Sequence, residues 1–282
     1  MREGERMRKR TTKDVEETSE GGGQLSANLV RGLDVLKAFR PGDETLGNQE
    51  IITRTNLPKA TVSRLTFTLS ELGYLTYNKV LGRYSLGPAS VALGYSALTS
   101  NAVVHIARPL MQQLADRTGA AVALGMRDNL DMVYLSNCRS ESLVTLRLNP
   151  GSHVPLWNSG MGLAYMVGLE DEEREGLVER LQRAEPGMAG EIVATIAAAL
   201  DEYAHLGYIT SFGKWQTYIR AIGVPFVPTD GSPTVAITCG GIAELITDRR
   251  AHDDIGPSLV HLVKALKARL NGDIAATLPD AG

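Results

Sequence analysis

From Ser26 onward the apolar residues fall at helical spacing. Leu29, Leu33 and Leu36 recur at i, i+4 and i+7, Phe39 extends the stripe, and Pro41-Gly42 ends it. A polar loop over 42–45 leads to a shorter helix over 48–54 that carries Ile51 and Ile52, followed by a turn at Asn56-Leu57. Pro58 then stands where a proline suits the first position of a helix. Val62, Leu65, Leu69 and Leu72 continue as one inward stripe, and Gly73 supplies a left-handed stop. Two short strand-like segments, 74–77 and 83–86, flank a loop that closes on Gly82 and form a hairpin. Three helices and a hairpin predict a winged helix-turn-helix over residues 26–87.

Beyond Pro88 the pattern changes. Val91, Tyr95 and Leu98 lend a modest apolar edge to a small-residue helix over 88–101, which reads as a linker helix. A helix over 103–118 follows, then strands over 120–126, 132–137 and 143–148, helices over 161–167, 171–182 and 189–205, strands over 208–212, 220–227 and 234–239, and a closing helix over 253–270. The fold class expected is α+β, with a second domain over 102–272 built on an antiparallel sheet in the manner of GAF/PAS-like sensors. Residues 1–25 are polar and end in Gly21-Gly22-Gly23, so a disordered arm is expected there, and a tail over 273–282. No apolar run reaches the roughly 18 residues that would span a bilayer. The expectation is a soluble cytoplasmic protein with no membrane partner.

Charge sharpens this division. Hydrophobic residues make up 43% of the chain and charged ones 22%, ordinary globular proportions with a formal net charge of −3. Residues 26–88 are nevertheless net basic at +3, whereas 89–282 are net acidic at −6. A mildly basic front end sits on an acidic body, which favours a polyanion as the partner of the first domain. Cys138 and Cys239 show no CxxC or Cys/His spacing and the five histidines are scattered, so no disulfide scaffold, metal site or cofactor is expected.

On the third helix, the face opposite the leucine stripe carries Ala60, Ser63, Arg64 and Phe67, with Lys59 at its leading edge. A recognition helix needs such a face: small residues permit close approach to the major groove, and cations and hydroxyls meet phosphates and base edges. Arg64 can grip phosphate or read guanine, while Lys59, Thr61 and the helix-start amides suit a phosphate. Phe67 either touches a thymine methyl or folds back on the hairpin. Lys79 and Arg83 flank the hairpin tip, either as a phosphate clamp or as solvated loop charges.

The runs Arg31-Gly32-Leu33-Asp34-Val35-Leu36, Asn56-Leu57-Pro58-Lys59-Ala60-Thr61-Val62-Ser63-Arg64-Leu65, Leu72-Gly73-Tyr74-Leu75 and Arg83-Tyr84-Ser85-Leu86-Gly87 resemble the DNA-binding half of IclR-family regulators. The resemblance extends more loosely to about residue 272 through Val154-Pro155-Leu156-Trp157-Asn158-Ser159-Gly160-Met161-Gly162, Leu206-Gly207-Tyr208 and Ile222-Gly223-Val224-Pro225. It implies a homodimer or dimer of dimers on double-stranded operator DNA, controlled by a small-molecule effector. Carried over by position, it implies an effector pocket lined by Gly160, Met161, Ser211, Ala221, Thr238 and Gly240.

Two departures from the family pattern bear on the effector. An acidic residue familiar at the start of the sensor sheet is missing from Gly119-Ala120-Ala121-Val122, and Trp157 stands where a histidine is common. A pocket bordered by Trp157, Met161, Phe212, Trp215 or Tyr218 favours a larger, partly aromatic or aliphatic ligand, with amides near Gly160 and Met161 available to a carboxylate. Two alternatives stay open: a sensor whose front end binds protein, and a hydrolase that uses Cys239 in Thr238-Cys239-Gly240-Gly241. No histidine or carboxylate accompanies that thiol at a recognisable spacing, so no catalytic residue is expected.

Overall fold

The computed structural model describes residues 25–140 and 148–272. The expected N-terminal arm up to residue 24, the tail from 273, and residues 143–147 of the third expected strand lie outside the described residues. The chain divides into two compact units, the first ending at Leu98 and the second beginning at Thr99.

In the first unit α1 (Ala27–Lys37), α2 (Asn48–Thr55) and α3 (Lys59–Glu71) precede a hairpin of β2 (Leu75–Asn78) and β3 (Arg83–Leu86). The turn between α2 and α3 depends on Asn56, which takes a left-handed conformation with φ 57°, tolerable for Asn because its short polar side chain bonds locally. Gly73, with φ 74°, turns the chain from α3 into the hairpin. Val35, Leu46, Ile51, Leu57, Val62, Leu75 and Tyr84 close into one small core.

Three features depart from expectation. Pro58 stands one residue ahead of α3 as its N-cap. Leu72 is exposed, because the helix has already ended at Glu71 and Leu72 lies on the turn; Thr66 takes the inward place instead, 3.3 Å from the Tyr84 hydroxyl. The loop after α1 also contributes a strand, β1 (Leu46–Gly47), that pairs with β3 to make a three-stranded sheet in the order β1-β3-β2. A linker-like helix, α4 (Pro88–Thr99), follows the hairpin and has no buried residue.

The second unit is an α+β domain with a six-stranded antiparallel sheet. Its strands are β4 (Ala121–Asp128), β5 (Asp131–Cys138), β6 (His153–Pro155), β7 (Ile209–Phe212), β8 (Ile219–Phe226) and β9 (Val235–Ile242), in the spatial order β6-β5-β4-β9-β8-β7. One face packs on α5 (Ala102–Thr118) and on a C-terminal helix, Gly256–Leu270. The other face packs on α6 (Gly160–Val167), α7 (Asp171–Ala184) and α8 (Ala189–Leu206). Among the described residues no helix is long and apolar enough to cross a membrane.

Because both faces are covered, the alternation of side chains along each strand sorts residues between two cores. Val122 and Leu124, Ile222 and Val224, and Val235 and Ile237 enter the first core, while Ala123 and Ala236 enter the second. Small residues let α6 lie close on β8. A Cβ added at Gly160 would stand 2.7 Å from Ala221 Cβ, and one at Gly223 would stand 2.8 Å from the Gly160 carbonyl. The α6 start is held from its other side as well, since a Cβ at Gly162 would stand 1.9 Å from the Leu156 carbonyl oxygen. Backbone cannot yield that distance cheaply, so Gly162→Ala should lower stability by about 3 kcal/mol, measured as a lower urea midpoint with an unchanged m-value.

Candidate nucleic-acid interface and ligand cavity

Lys59, Ala60, Ser63, Arg64 and Phe67 are all exposed on one side of α3, and Thr61 is partly exposed beside them. Lys59, Arg64 and Lys79 engage in no ion pair among the described residues, so three cations stand uncommitted on and near this face. No side chain caps the α3 start, which leaves its first-turn amides to solvent or to an anion. Phe67 is 65% exposed and does not fold back on the hairpin. Lys79 projects from the hairpin loop, whose turn is held by Asn78 Oδ1 accepting from the amides of Val80 at 3.0 Å and Leu81 at 3.1 Å.

Arg83 does something else. Its Nε donates to Thr45 Oγ1 at 2.8 Å, one terminal nitrogen donates to the Thr45 carbonyl at 2.9 Å, and that nitrogen pairs with Glu50 at 2.7 Å. Most of its donor fork therefore ties β1 and α2 to the hairpin, and Lys79 is left as the wing's free cation of the two. Glu50, whose carboxyl is held below the usual range first by the Gly47 amide and then by Arg83, stays ionised in this bridge.

In the second unit a cavity opens over the small-residue side of the sheet, beside the α6 start. It holds about 530 Å³ of empty space, open solvent at its mouth included. Gly160, Met161, Ser211, Ala221, Thr238 and Gly240 all line it. Trp157 and Phe212 do not. Trp157 is buried in the second core, its Nε1 donating to Glu185 at 3.3 Å. Phe212 follows Ser211 on one strand, so it faces the opposite side of the sheet, packing on the first core with the Arg220 guanidinium 4.7 Å from its ring centre. Of the other two aromatics considered, Trp215 lines the cavity and Tyr218 is exposed.

The remaining wall comes from positions the sequence did not single out: Ala121 and Ala123 of β4, Tyr134 and Asn137 of β5, and Val154, Ser159 and Gln216 among others. Ser159 caps α6, its Oγ accepting from the Gly162 amide at 3.0 Å. The Gly160 and Met161 amides precede the first internal bonds of the helix, so the cavity meets the positive end of a helix dipole. Among the described residues no Asp, Glu, Lys, Arg or His lines the space. An anion entering here is held by amides and hydroxyls, against apolar surface from Met161, Val154, Ile219 and Trp215.

Neither cysteine adds chemistry. Cys239 is fully buried on the opposite face of β9, and burial pushes its thiol up to about 12. A nucleophilic cysteine requires the reverse shift. Thr118 Oγ1 lies 3.9 Å from its sulfur. Among the described residues no group of three His, Cys, Asp or Glu is placed to hold a metal ion.

A winged helix with a free basic face, followed by a separate sheet domain that encloses a cavity, defines a DNA-binding transcriptional regulator. Comparison with known proteins makes the assignment specific. Residues 95–267 match the family model described as bacterial transcriptional regulator IclR C-terminal, and residues 28–79 match the IclR helix-turn-helix domain. The chain belongs to the IclR family. It is 34% identical over 260 residues to the HTH-type transcriptional regulator TsaQ1/TsaQ2 of Comamonas testosteroni, covering 92% of this chain and 93% of that one. The crystal structure of an IclR family transcriptional regulator from Brucella abortus is similar at 37% identity and a TM-score of 0.78, over 90% of this chain and 96% of that chain. An IclR homologue from Microbacterium hydrocarbonoxydans, crystallised with 4-hydroxybenzoate, shares the fold at 20% identity and a TM-score of 0.67, over 86% of this chain and all of that one.

The buried state of both thiols has a direct test. In the native protein at pH 8, a thiol reagent such as dithionitrobenzoate should label neither Cys138 nor Cys239 within minutes, whereas both should react in denaturant.

Proposed function

We propose that α3 enters the major groove of operator DNA and that a small organic acid in the sheet-domain cavity controls that binding. The observation that carries the first half is the exposed face of α3, where the side chains of Arg64 and Ser63 have no hydrogen-bond or ion-pair partner among the described residues and stand beside uncapped amides. In this reading Lys59, Thr61 and the first-turn amides hold phosphates, and Ala60 permits close approach. Ser63 and Arg64 reach base edges, Phe67 meets a thymine methyl, and Lys79 on the wing grips the flanking backbone. The protein works in the cytoplasm as a homodimer or dimer of dimers, with paired recognition helices about 34 Å, one DNA turn, or a multiple of it apart.

The second half rests on the convergence of Gly160, Met161, Ser211, Ala221, Thr238 and Gly240 on one cavity that has a helix start and, among the described residues, no charged side chain. A single carboxylate suits the Gly160 and Met161 amides. The apolar walls suit an aromatic or branched body, and a tiny, densely polar acid would leave them wet. The 4-hydroxybenzoate complex of the Microbacterium homologue is an instance of this ligand class on the same fold.

Arg64→Ala should weaken binding to the protein's own upstream promoter by about 1–3 kcal/mol and make the salt dependence shallower, read from binding isotherms between 50 and 200 mM salt, about the range over which phosphate contacts are lost. An unchanged isotherm would remove Arg64 from the interface, and a salt-independent affinity would favour a protein partner instead. In a thermal-shift screen of small organic acids, a ligand at 100 times its Kd should add about 2.7 kcal/mol to the stability of the unit. Ala221→Leu, which fills the cavity beside Gly160, should abolish the shift.

A further inference from the structure

Two polar atoms in the cavity wall have no hydrogen-bond partner among the described residues. Asn137 donates its side-chain N–H to the Leu148 carbonyl, and that contact settles which way the amide faces, since a carbonyl can only accept. Its Oδ1 is buried and, among the described residues, has no hydrogen-bond partner. Tyr134, also in the wall, is 8% exposed, and among the described residues nothing bonds to its hydroxyl. A buried acceptor left unmatched, as Asn137 Oδ1 is, destabilises the fold until something donates to it.

The backbone has been bent to bring these two together. Residues three apart on a regular strand face opposite sides of the sheet. Along β5, however, Leu124 stands opposite Ser136 and the next residue, Gly125, opposite Tyr134, so Leu135 is an extra residue in a bulge. The bulge turns Tyr134 onto the side of Asn137, which pairs with Ala123 of the cavity wall. A β-bulge that re-aims a side chain into a site is a recurrent use of the irregularity. Gly125, opposite it, is required by the same packing: a Cβ there would stand 2.3 Å from Met161 Sδ and 2.7 Å from the Val133 carbonyl.

We propose that Tyr134 and Asn137 form a subsite for a hydrogen-bond donor, so that the cavity selects a carboxylic acid bearing a hydroxyl at the end remote from its carboxylate. The inference rests on the reading of the cavity as an organic-acid site. Asn137 Oδ1 offers only an acceptor, and burial raises the Tyr134 phenol far above its usual range, so the phenol stays neutral and can both donate and accept. A ligand hydroxyl donates to Asn137 and exchanges with Tyr134; an ether or a methyl group at the same place leaves the Asn137 acceptor orphaned. Gly160 sits over Ala221 of β8, and β4 and β9 lie between β8 and the β5 strand that carries Tyr134 and Asn137, so the Gly160 amide and the subsite meet different parts of the ligand.

The test is calorimetry on the full chain with matched pairs: benzoate, 4-hydroxybenzoate and 4-methoxybenzoate, then phenylacetate and 4-hydroxyphenylacetate. The wild type should prefer the hydroxylated member of a pair by about tenfold, or 1.4 kcal/mol, over both the unsubstituted and the methoxy acid. Tyr134→Phe and Asn137→Leu should each reduce that preference to less than about threefold, while affinity for the unsubstituted acid is retained. Retained affinity also shows that the variants are folded. If both members of each pair bind the wild type equally, or if the preference survives in both variants, the donor subsite is wrong and the organic-acid reading stands. If none of the five acids binds, both readings fail together.

Discussion

A sheet covered on both sides must place every strand residue in one of two interiors, and this constraint governs what the second unit can do. The face toward α5 carries Val122, Leu124, Ile222, Val224, Phe226, Val235 and Ile237, which fill their space. The face toward α6 carries Ala121, Ala123, Ala221, Thr238 and Gly240, which do not. The cavity is the volume these small residues leave empty, and it sits on a floor packed solid from below. Native packing resists compression, so the floor holds the positions of the polar groups around the cavity without help from a ligand.

The same alternation explains which parts of the site were legible in the sequence. Period-two runs mark β4, β8 and β9, and the small residues on them could be placed by parity once the strands were known. Aromatic character points Phe212 to the cavity, although Ser211 beside it occupies that face. Trp157 suggests the same and instead donates to Glu185 within the helical layer. Tyr134 and Asn137 escape a sequence reading for a different reason. Three-residue spacing in a strand reads as opposite faces, and nothing in the local composition announces that Leu135 is a bulge.

In the first unit, element order and the two turn residues, Asn56 and Gly73, were readable because each carries a backbone requirement that few other residues meet. β1 was not, since Leu46 and Gly47 are too short a strand to show a period, and it is held by a long-range partner. Arg83 supplies that partner through Thr45 and Glu50. A cation beside a wing tip looks the same in sequence whether it faces phosphate or a neighbouring loop, and only the position of an acid 33 residues earlier distinguishes the two. Leu72 failed by one residue: the stripe was correct, but the helix stopped before it.

In the proposed complex no charged side chain among the described wall residues meets the ligand, so its anion is stabilised by the amides and dipole of α6. That helix cannot respond by sliding on its own, because Gly160, Gly162 and Gly223 already stand at distances that admit no added carbon. Ligand binding therefore acts on α6, β8 and the Leu156 carbonyl as one body. A ligand shifts a conformational equilibrium only by its difference in affinity between states. In the proposed complex that difference comes from how the α6 start is set against Tyr134 and Asn137 of β5. A rigid molecule that bonds at both ends measures this separation, whereas an acid that bonds only at α6 gains the same free energy in either state and leaves the equilibrium where it was.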